Sequence, residues 1–302
     1  MDRVIVICGP TASGKTSLGI KLANAINGEI ISADSMQIYK DMDIGTAKPT
    51  KEEQAEAIHH LIDFVSPDKR YTVSDFKIDA EEKIKDIIAR GKTPIIVGGT
   101  GLYVNSLIYN IEYKDEEYDE EYRKSLDSLS IEELYEKALE IDKEATLKVA
   151  STDRKRLSRI LEIYHKTGKT KTEQELDSRK PLKYDYKVFV LNWDREKLYE
   201  RINLRVDLMI KDGLVEEVKE LLKKYKEFPT AMQGLGYKEV KEYLEGTLTE
   251  EEMIEKIKQE SRHYAKRQVT WFKKYENEEI ATWLDGENDN NLEIILEELG
   301  EK

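Results

Sequence analysis

The residues best suited to chemistry stand near the start of the chain, in Gly9-Pro10-Thr11-Ala12-Ser13-Gly14-Lys15-Thr16. Their spacing is G-x-x-x-x-G-K-S/T. The glycines let the backbone turn its N–H groups inward around an anion, and the start of a helix adds its dipole. Lys15 brings a positive charge to phosphate oxygens, and Thr16 offers a hydroxyl to a bound Mg²⁺. The same pattern occurs in ordinary Gly-rich turns, so the flanks decide. Val4-Ile5-Val6-Ile7-Cys8 leads in as a strand, and Leu18, Leu22 and Ala25 follow at helical spacing. Strand, loop and helix together predict a cradle for two linked phosphates. They do not say whose.

Phosphate cradles commonly serve nucleotide triphosphatases and small-molecule kinases, which hold Mg²⁺ with an acid at the end of a second apolar strand. Here Pro94-Ile95-Ile96-Val97 ends in Gly98-Gly99-Thr100-Gly101, with no acid. The nearest candidate is Asp34, in Ser32-Ala33-Asp34-Ser35-Met36-Gln37. At a strand's carboxyl end it could hold a metal, act as a base or cap a helix, and position alone leaves these open.

The elements that must carry these residues read as an α/β fold. Strands are expected at 4–8, 29–32, 94–97 and 187–191, with helices near 14–26 and after Tyr71-Thr72-Val73-Ser74-Asp75. Continuous apolar strands alternating with amphipathic helices predict a P-loop NTPase-like parallel sheet flanked by helices. Ligands then gather at the carboxyl ends of the strands, where loops 9–16, 33–48 and 98–103 converge. Residues 112–183 are helical and highly charged without strand-like runs, which predicts a helical insertion domain within a core of 1–111 and 184–302. Residues 195–275 read as helical, with breaks near Pro229, Gly234 and Gly236; the acidic end of the chain is expected to fray or form a surface helix. The His59-His60 pair lacks partners at metal-ligand spacing and reads as structural, as do Trp193 and Trp283.

At 302 residues, 37% charged and 39% hydrophobic, with no apolar run of 18 residues, the chain reads as soluble, helix-rich and free of membrane spans. The lone Cys8 forms no internal disulfide and suits a reducing cytoplasm. The net charge of −13 argues against indiscriminate nucleic-acid binding, but its distribution is uneven. Residues 112–144 carry 14 acids against 5 bases, whereas 258–274 carry six bases against one acid and 151–182 nine against five. Local basic faces on an acidic body permit selective RNA docking.

With these segments assembled, the chain resembles the bacterial tRNA dimethylallyltransferase family, also called tRNA isopentenyltransferases. The phosphate loop carries the resemblance together with Ser32–Tyr39, Met42-Asp43-Ile44-Gly45-Thr46-Ala47-Lys48-Pro49, His60-Leu61-Ile62-Asp63 and Val97–Tyr103. Arg156-Leu157-Ser158-Arg159, Gly236-Tyr237-Lys238-Glu239 and Tyr264–Phe272 complete it. The matches run in order across nearly the whole chain. One departure is Gln233-Gly234-Leu235-Gly236, with a glycine where the family often has a bulkier residue.

The resemblance implies transfer of a dimethylallyl group from dimethylallyl diphosphate to N6 of the adenosine just 3′ of the anticodon. The loop then grips a leaving diphosphate, with Mg²⁺ on Thr16. It makes Asp34 the base for N6, Thr100 an orienting residue and Arg205 a phosphate contact, unless Arg205 pairs with Asp207 or Glu200. It places Asp34, Ser35, Met36, Gln37 and Thr100 around the flipped base. Lys155, Arg156, Leu157, Ser158, Arg159, Gln233, Gly236, Tyr237, Lys238, Lys266, Arg267, Gln268, Trp271 and Arg123 become contacts to the tRNA anticodon stem-loop. A monomer is expected, since no self-complementary apolar stripe stands out. Two rivals remain: an ATP-using small-molecule P-loop kinase, and an RNA-binding module with an inactive phosphate loop. The kinase leaves the basic aromatic helix and the insertion unused; the module leaves Lys15, Thr16 and Asp34 unexplained.

Overall fold

In the computed structural model, which describes residues 1–113, 119–276 and 278–301, strand runs and amphipathic helices alternate along the chain. The first half of the core holds β1 (Arg3–Cys8), α1 (Lys15–Ala25), β2 (Gly28–Ser32), α2 (Lys51–Glu56), β3 (His59–His60), α3 (Val73–Ala89), β4 (Thr93–Gly98) and α4 (Gly101–Ile108). Five helices follow: α5 (Glu120–Asp127), α6 (Ile131–Ile141), α7 (Lys143–Leu147), α8 (Arg154–Thr167) and α9 (Lys171–Ser178). The chain returns through β5 (Asp185–Asn192), α10 (Arg195–Lys211), α11 (Leu214–Lys224), α12 (Tyr237–Leu244), α13 (Glu250–Phe272), β6 (Ala281–Asp285) and α14 (Asn291–Leu299).

The six strands form one all-parallel sheet in the order β3-β2-β4-β1-β5-β6. Both faces are covered, which is why the central strands read as unbroken apolar runs. Ile5, Ile7, Ile30, Ile95, Phe189 and Leu191 project into a core with α1 and α14, while α3 and α4 lie against β4 and β1. A second core joins α10 to α13 with the loop after β2, around Ile38, Tyr39, Val206, Leu214 and Tyr237.

Two compact units result, Met1–Ile108 with Lys183–Lys302, and Tyr109–Leu182. The second has its own core of Leu126, Leu134, Leu157, Ile160 and Leu161, with a stem in which Ile111 bridges Arg179 antiparallel. Among the described residues no helix is long and apolar enough to cross a membrane.

The acidic end of the chain forms the expected surface helix, α14, which buries Ile295 and Leu299 against the core and leaves Glu293, Glu297 and Glu298 exposed. What the sequence did not announce is the strand before it: Val188–Asn192 pairs in parallel with Ala281–Asp285. Polar neighbours hide this edge strand, because only Leu284 among its five residues is buried. The edge strand at His59–His60 was likewise unread, being two residues long. Both histidines make local contacts: His60 Nε2 lies 2.7 Å from Glu29 Oε2 and His59 Nδ1 2.8 Å from Ala57 O.

Glu29 is 1% exposed and gathers Arg90, Lys92 at 2.8 Å and His60 around one carboxylate. The Arg90 guanidinium, then Lys92 and His60, hold its pKa well below the ordinary carboxylate range against burial, which pushes it up. Removing the charge strands the Arg90 and Lys92 cations and the His60 hydrogen bond, so Glu29→Gln is expected to cost about 3 kcal/mol, read as a lower urea midpoint. The depressed pKa makes this contribution fully present above about pH 4.3 and lost as pH falls toward the folded-state value. The variant's deficit should therefore shrink in acid.

Candidate active site

Three positive-φ residues shape the phosphate loop: Gly9 at 146°, Gly14 at 90° and Ala12 at 61°. A Cβ on Gly9 would stand 2.7 Å from the Leu191 carbonyl oxygen, so this turn needs glycine for space as well as conformation. Lys15 opens α1 and folds its ammonium over the loop, donating to Pro10 O at 2.5 Å and lying 3.4 Å from Ser13 Oγ. Burial, then the nearby Arg205, pushes its pKa down to about 8, while Asp34 pulls the other way.

The loop is tied from behind. Gln268 Oε1 accepts from Thr11 N at 2.8 Å, Arg201 Nε donates to Ala12 O at 2.8 Å, and Trp193 Nε1 donates to Ser13 O at 3.0 Å. Arg201 also stacks on Trp193 at 4.3 Å from the ring centre. Arg205 Nη1 reaches Thr11 Oγ1 at 3.5 Å. Burial lowers its pKa and Asp34 raises it, and Asp207 pairs with Lys258 instead.

Asp34 stands just beyond β2. Its Oδ1 accepts from Met36 N at 2.8 Å and Gln37 N at 3.3 Å, a local turn that fixes the carboxylate's direction. Thr100 accepts from Ser35 N at 3.0 Å and donates to Ser35 Oγ at 3.3 Å, while its own N–H meets Ala33 O at 3.1 Å. The two loops approach so closely that a Cβ on Gly98 would lie 2.2 Å from Ala33 O. Tyr264 on α13 hydrogen-bonds Thr100, and burial holds its phenol protonated well above the ordinary range.

An inner cavity of about 80 Å³ is lined by Lys15 and Thr16 on one side and Asp34 on another. A chamber of about 330 Å³ shares Thr11, Asp34, Thr46, Arg205 and Tyr264 with it and continues past Met36 and Gln233. A wider space of about 740 Å³ borders the outer side of the loop at Lys15 and Thr16. Among the described residues no three His, Cys, Asp or Glu cluster to hold a metal. Mg²⁺ needs no such cluster when phosphate oxygens and water complete its shell. The Thr16 hydroxyl, facing the inner cavity beside Lys15, is a donor that fits the ion.

Several residues expected to contact RNA make internal contacts, and the buried ones among them are turned away from any RNA. Gln268 is 6% exposed with both amide ends occupied, the second donating to Gly99 O at 2.8 Å. Gln37 lines the inner cavity while its amide holds the neighbouring loop, accepting from Ser32 Oγ and donating to Thr46 O and Ala47 O. Tyr237 is fully buried, its hydroxyl donating to Glu217 Oε1 at 2.6 Å. Gly236 is buried at φ 87° and starts α12. Leu157 and Ser158 face inward on α8. Trp271 lies flush on Gly101, whose Cβ would meet its ring at 2.2 Å, and donates toward Asn105 at 3.4 Å. Lys155, Arg156, Arg159, Gln233, Lys238, Lys266 and Arg267 are exposed, and Arg123 lies 3.5 Å from Glu162. The unusual Gly234 makes room for Met36, whose Cε would stand 2.5 Å from an added Cβ.

Sequence reasoning missed the props. Trp193 is more than packing, since its indole holds the phosphate loop. Glu217 accepts from three successive amides, Asp43 N and Ile44 N at 2.8 Å and Gly45 N at 3.2 Å. Lys48 reaches Asp43 at 2.6 Å, and both Tyr39 O and Asp63 at 2.8 Å. The loop beside the inner cavity is thus fixed from both sides.

Parallel strands, a glycine loop at the head of the first helix and a carboxylate at the next strand end define a P-loop NTPase-like α/β protein. More narrowly, the chain belongs to the IPP transferase family, whose model matches residues 37–275. A tRNA dimethylallyltransferase of Acetivibrio thermocellus is 48% identical over 305 residues, spanning 99% of this chain and 96% of the relative. One from Anoxybacillus flavithermus is 46% identical, spanning 99% and 95%. The crystal structure of the full-length tRNA isopentenylpyrophosphate transferase from Bacillus halodurans is similar at TM-score 0.74 and 39% identity, over 99% of this chain and 96% of that one. A eukaryotic dimethylallyltransferase captured acting on tRNA is similar at TM-score 0.83 and 32% identity, over 99% and 78%.

Proposed function

We propose that this protein transfers a dimethylallyl group from dimethylallyl diphosphate to N6 of the adenosine 3′-adjacent to the anticodon in tRNA. Diphosphate is released. The observation that carries this reading is the inner cavity, which places an anion-gripping loop and a fixed carboxylate around one small space.

The donor's allylic C–O bond breaks with its electron pair on the diphosphate. That charge is met by the N–H groups of residues 12–16, by Lys15 and by Arg205. Thr11 N–H is committed to Gln268 and is not among them. The Thr16 hydroxyl would hold Mg²⁺, which when bound would supply Lewis-acid stabilisation of the leaving group. The adenine amine is a weak nucleophile, because its lone pair is delocalised into the ring. As its lone pair forms the new C–N bond, its proton passes to Asp34. Tyr264 lines the same cavities as that carboxylate and orients the base, backed by Thr100, which holds Tyr264 and Ser35.

Reaching the amine requires flipping the nucleotide out, which costs a few kcal/mol and less in a loop than in a duplex. The chamber beyond Asp34 receives the base, with Met36 as an apolar wall. Phosphate contacts come from Lys155, Arg156 and Arg159 on α8 and from Lys266 and Arg267 on α13, all exposed. Replacing Lys266 and Arg267 together by alanine is expected to weaken tRNA binding and lower the slope of log K against log salt by about 1.5 to 2. An unchanged slope in a filter-binding titration would remove α13 from the RNA face.

Labelled dimethylallyl diphosphate, Mg²⁺ and an unmodified tRNA test the reaction. Label in RNA, lost when that adenosine is replaced, is the expected result. Label passing from γ-labelled ATP to a small molecule would establish a kinase instead.

A further inference from the structure

The inner face of α13 carries a group that the reaction above does not use. Gln268 takes Thr11 N–H with Oε1 and gives its own N–H to Gly99 O, both at 2.8 Å. Thr11 belongs to the phosphate loop. Gly99 precedes Thr100, which holds Ser35 beside Asp34. The strands these loops leave are adjacent, with Cys8 opposite Gly98, and just beyond them Gly99 still lies close to Gly9, whose carbonyl oxygen would stand 3.3 Å from an added Cβ. The buried Gln268 amide hydrogen-bonds to both loops. Gly99 is shaped to admit it, because an added Cβ would stand 2.3 Å from Gln268 Nε2.

We infer that Gln268 is a positioning residue for the transfer, setting the separation between the diphosphate cradle and the Asp34–Thr100 wall that receives the base. The inference rests on the transferase reading. Reaction between two bound groups depends steeply on their spacing, and a displacement of 1 Å can cost about 10²-fold. Each loop keeps its own ties without Gln268. Arg201 and Trp193 still hold Ala12 and Ser13, and Asp34 still binds the amides of Met36 and Gln37. Loss of the bridge therefore changes the distance between two intact sites, and its signature is in kcat.

Gln268→Met keeps the length of the side chain and removes both hydrogen bonds. Gly99→Ala attacks the same contact from the opposite side, pushing the amide aside while leaving residue 268 unchanged. In the full-length chain, kcat, KM for both substrates, the Kd of inorganic diphosphate and the thermal midpoint are measured. Both variants are expected to lose about 10- to 100-fold in kcat, with both KM values and the diphosphate Kd within about threefold. The double variant should be no worse than the poorer single one, as for two lesions in one contact. A wild-type kcat in Gln268→Met overturns the inference, as does a defect confined to KM for tRNA, the mark of an RNA contact. So does a lowered thermal midpoint with normal turnover per folded molecule. If Gln268→Met does not fold, Gly99→Ala decides alone by the same criteria. Transfer by the wild-type protein with unaffected variants sinks only this inference; no transfer by the wild type sinks the reading beneath it as well.

Discussion

Asp34→Asn is expected to lower turnover about 10²- to 10⁴-fold, the usual worth of a positioned general base. The substitution is chosen because asparagine keeps the oxygen that accepts from Met36 N and Gln37 N, so the turn beyond β2 survives. What is lost is the capacity to take a proton from N6. An interaction made only in the transition state lowers kcat and kcat/KM together and leaves substrate binding in place. Affinity for tRNA should accordingly stay within about twofold of wild type. Rapid-quench single turnover separates the possibilities. Wild-type chemistry with a large loss of RNA affinity would make Asp34 a binding residue and not a base.

Lys15→Met is expected to lower kcat/KM for the allylic diphosphate about 10²- to 10³-fold, because the developing charge loses a cation held in a partly dry loop. The same ammonium predicts a pH dependence with a definite sign. Burial and Arg205 bring its pKa down to about 8. Below that pH the free protein carries the charge and binds diphosphate directly. Above it Lys15 is neutral, binding must take up a proton, and KM for the donor rises by up to about tenfold per pH unit. Lys15→Met should flatten that limb. A donor KM that stays level from pH 7 to 10 in the wild type would assign the anion's charge partner elsewhere.

What could be read from the chain divides by range. The phosphate loop, the strand before it and Asp34 announce themselves because their signals are local: glycine spacing, β-branched runs, and an acid at a strand end. The residues that hold them in place do not. Gln268, Trp193 and Arg201 reach the loop from 257, 180 and 189 positions away, and nothing in their own segments marks a polar side chain as turned inward. Leu157 is a different failure. Its spacing with Ile160 and Leu161 is that of a buried helix stripe, and the motif around it drew attention from that plain pattern. Tyr237 joins a half-buried carboxylate on another helix, so a family motif marked its position while concealing its role. The missed strand at Ala281–Asp285 shows how little an edge strand with one buried residue betrays itself.

The reading stands or falls on what occupies the space between Lys15 and Asp34. A crystal structure of the complex with a non-hydrolysable thio-analogue of the donor and an anticodon stem-loop answers it. The expected result is a diphosphate within loop 9–16 and the flipped adenosine's N6 within hydrogen-bond reach of Asp34, its lone pair facing the allylic carbon. A nucleobase lodged outside that chamber, with ATP's terminal phosphate in the loop aimed at a metabolite hydroxyl, would contradict it.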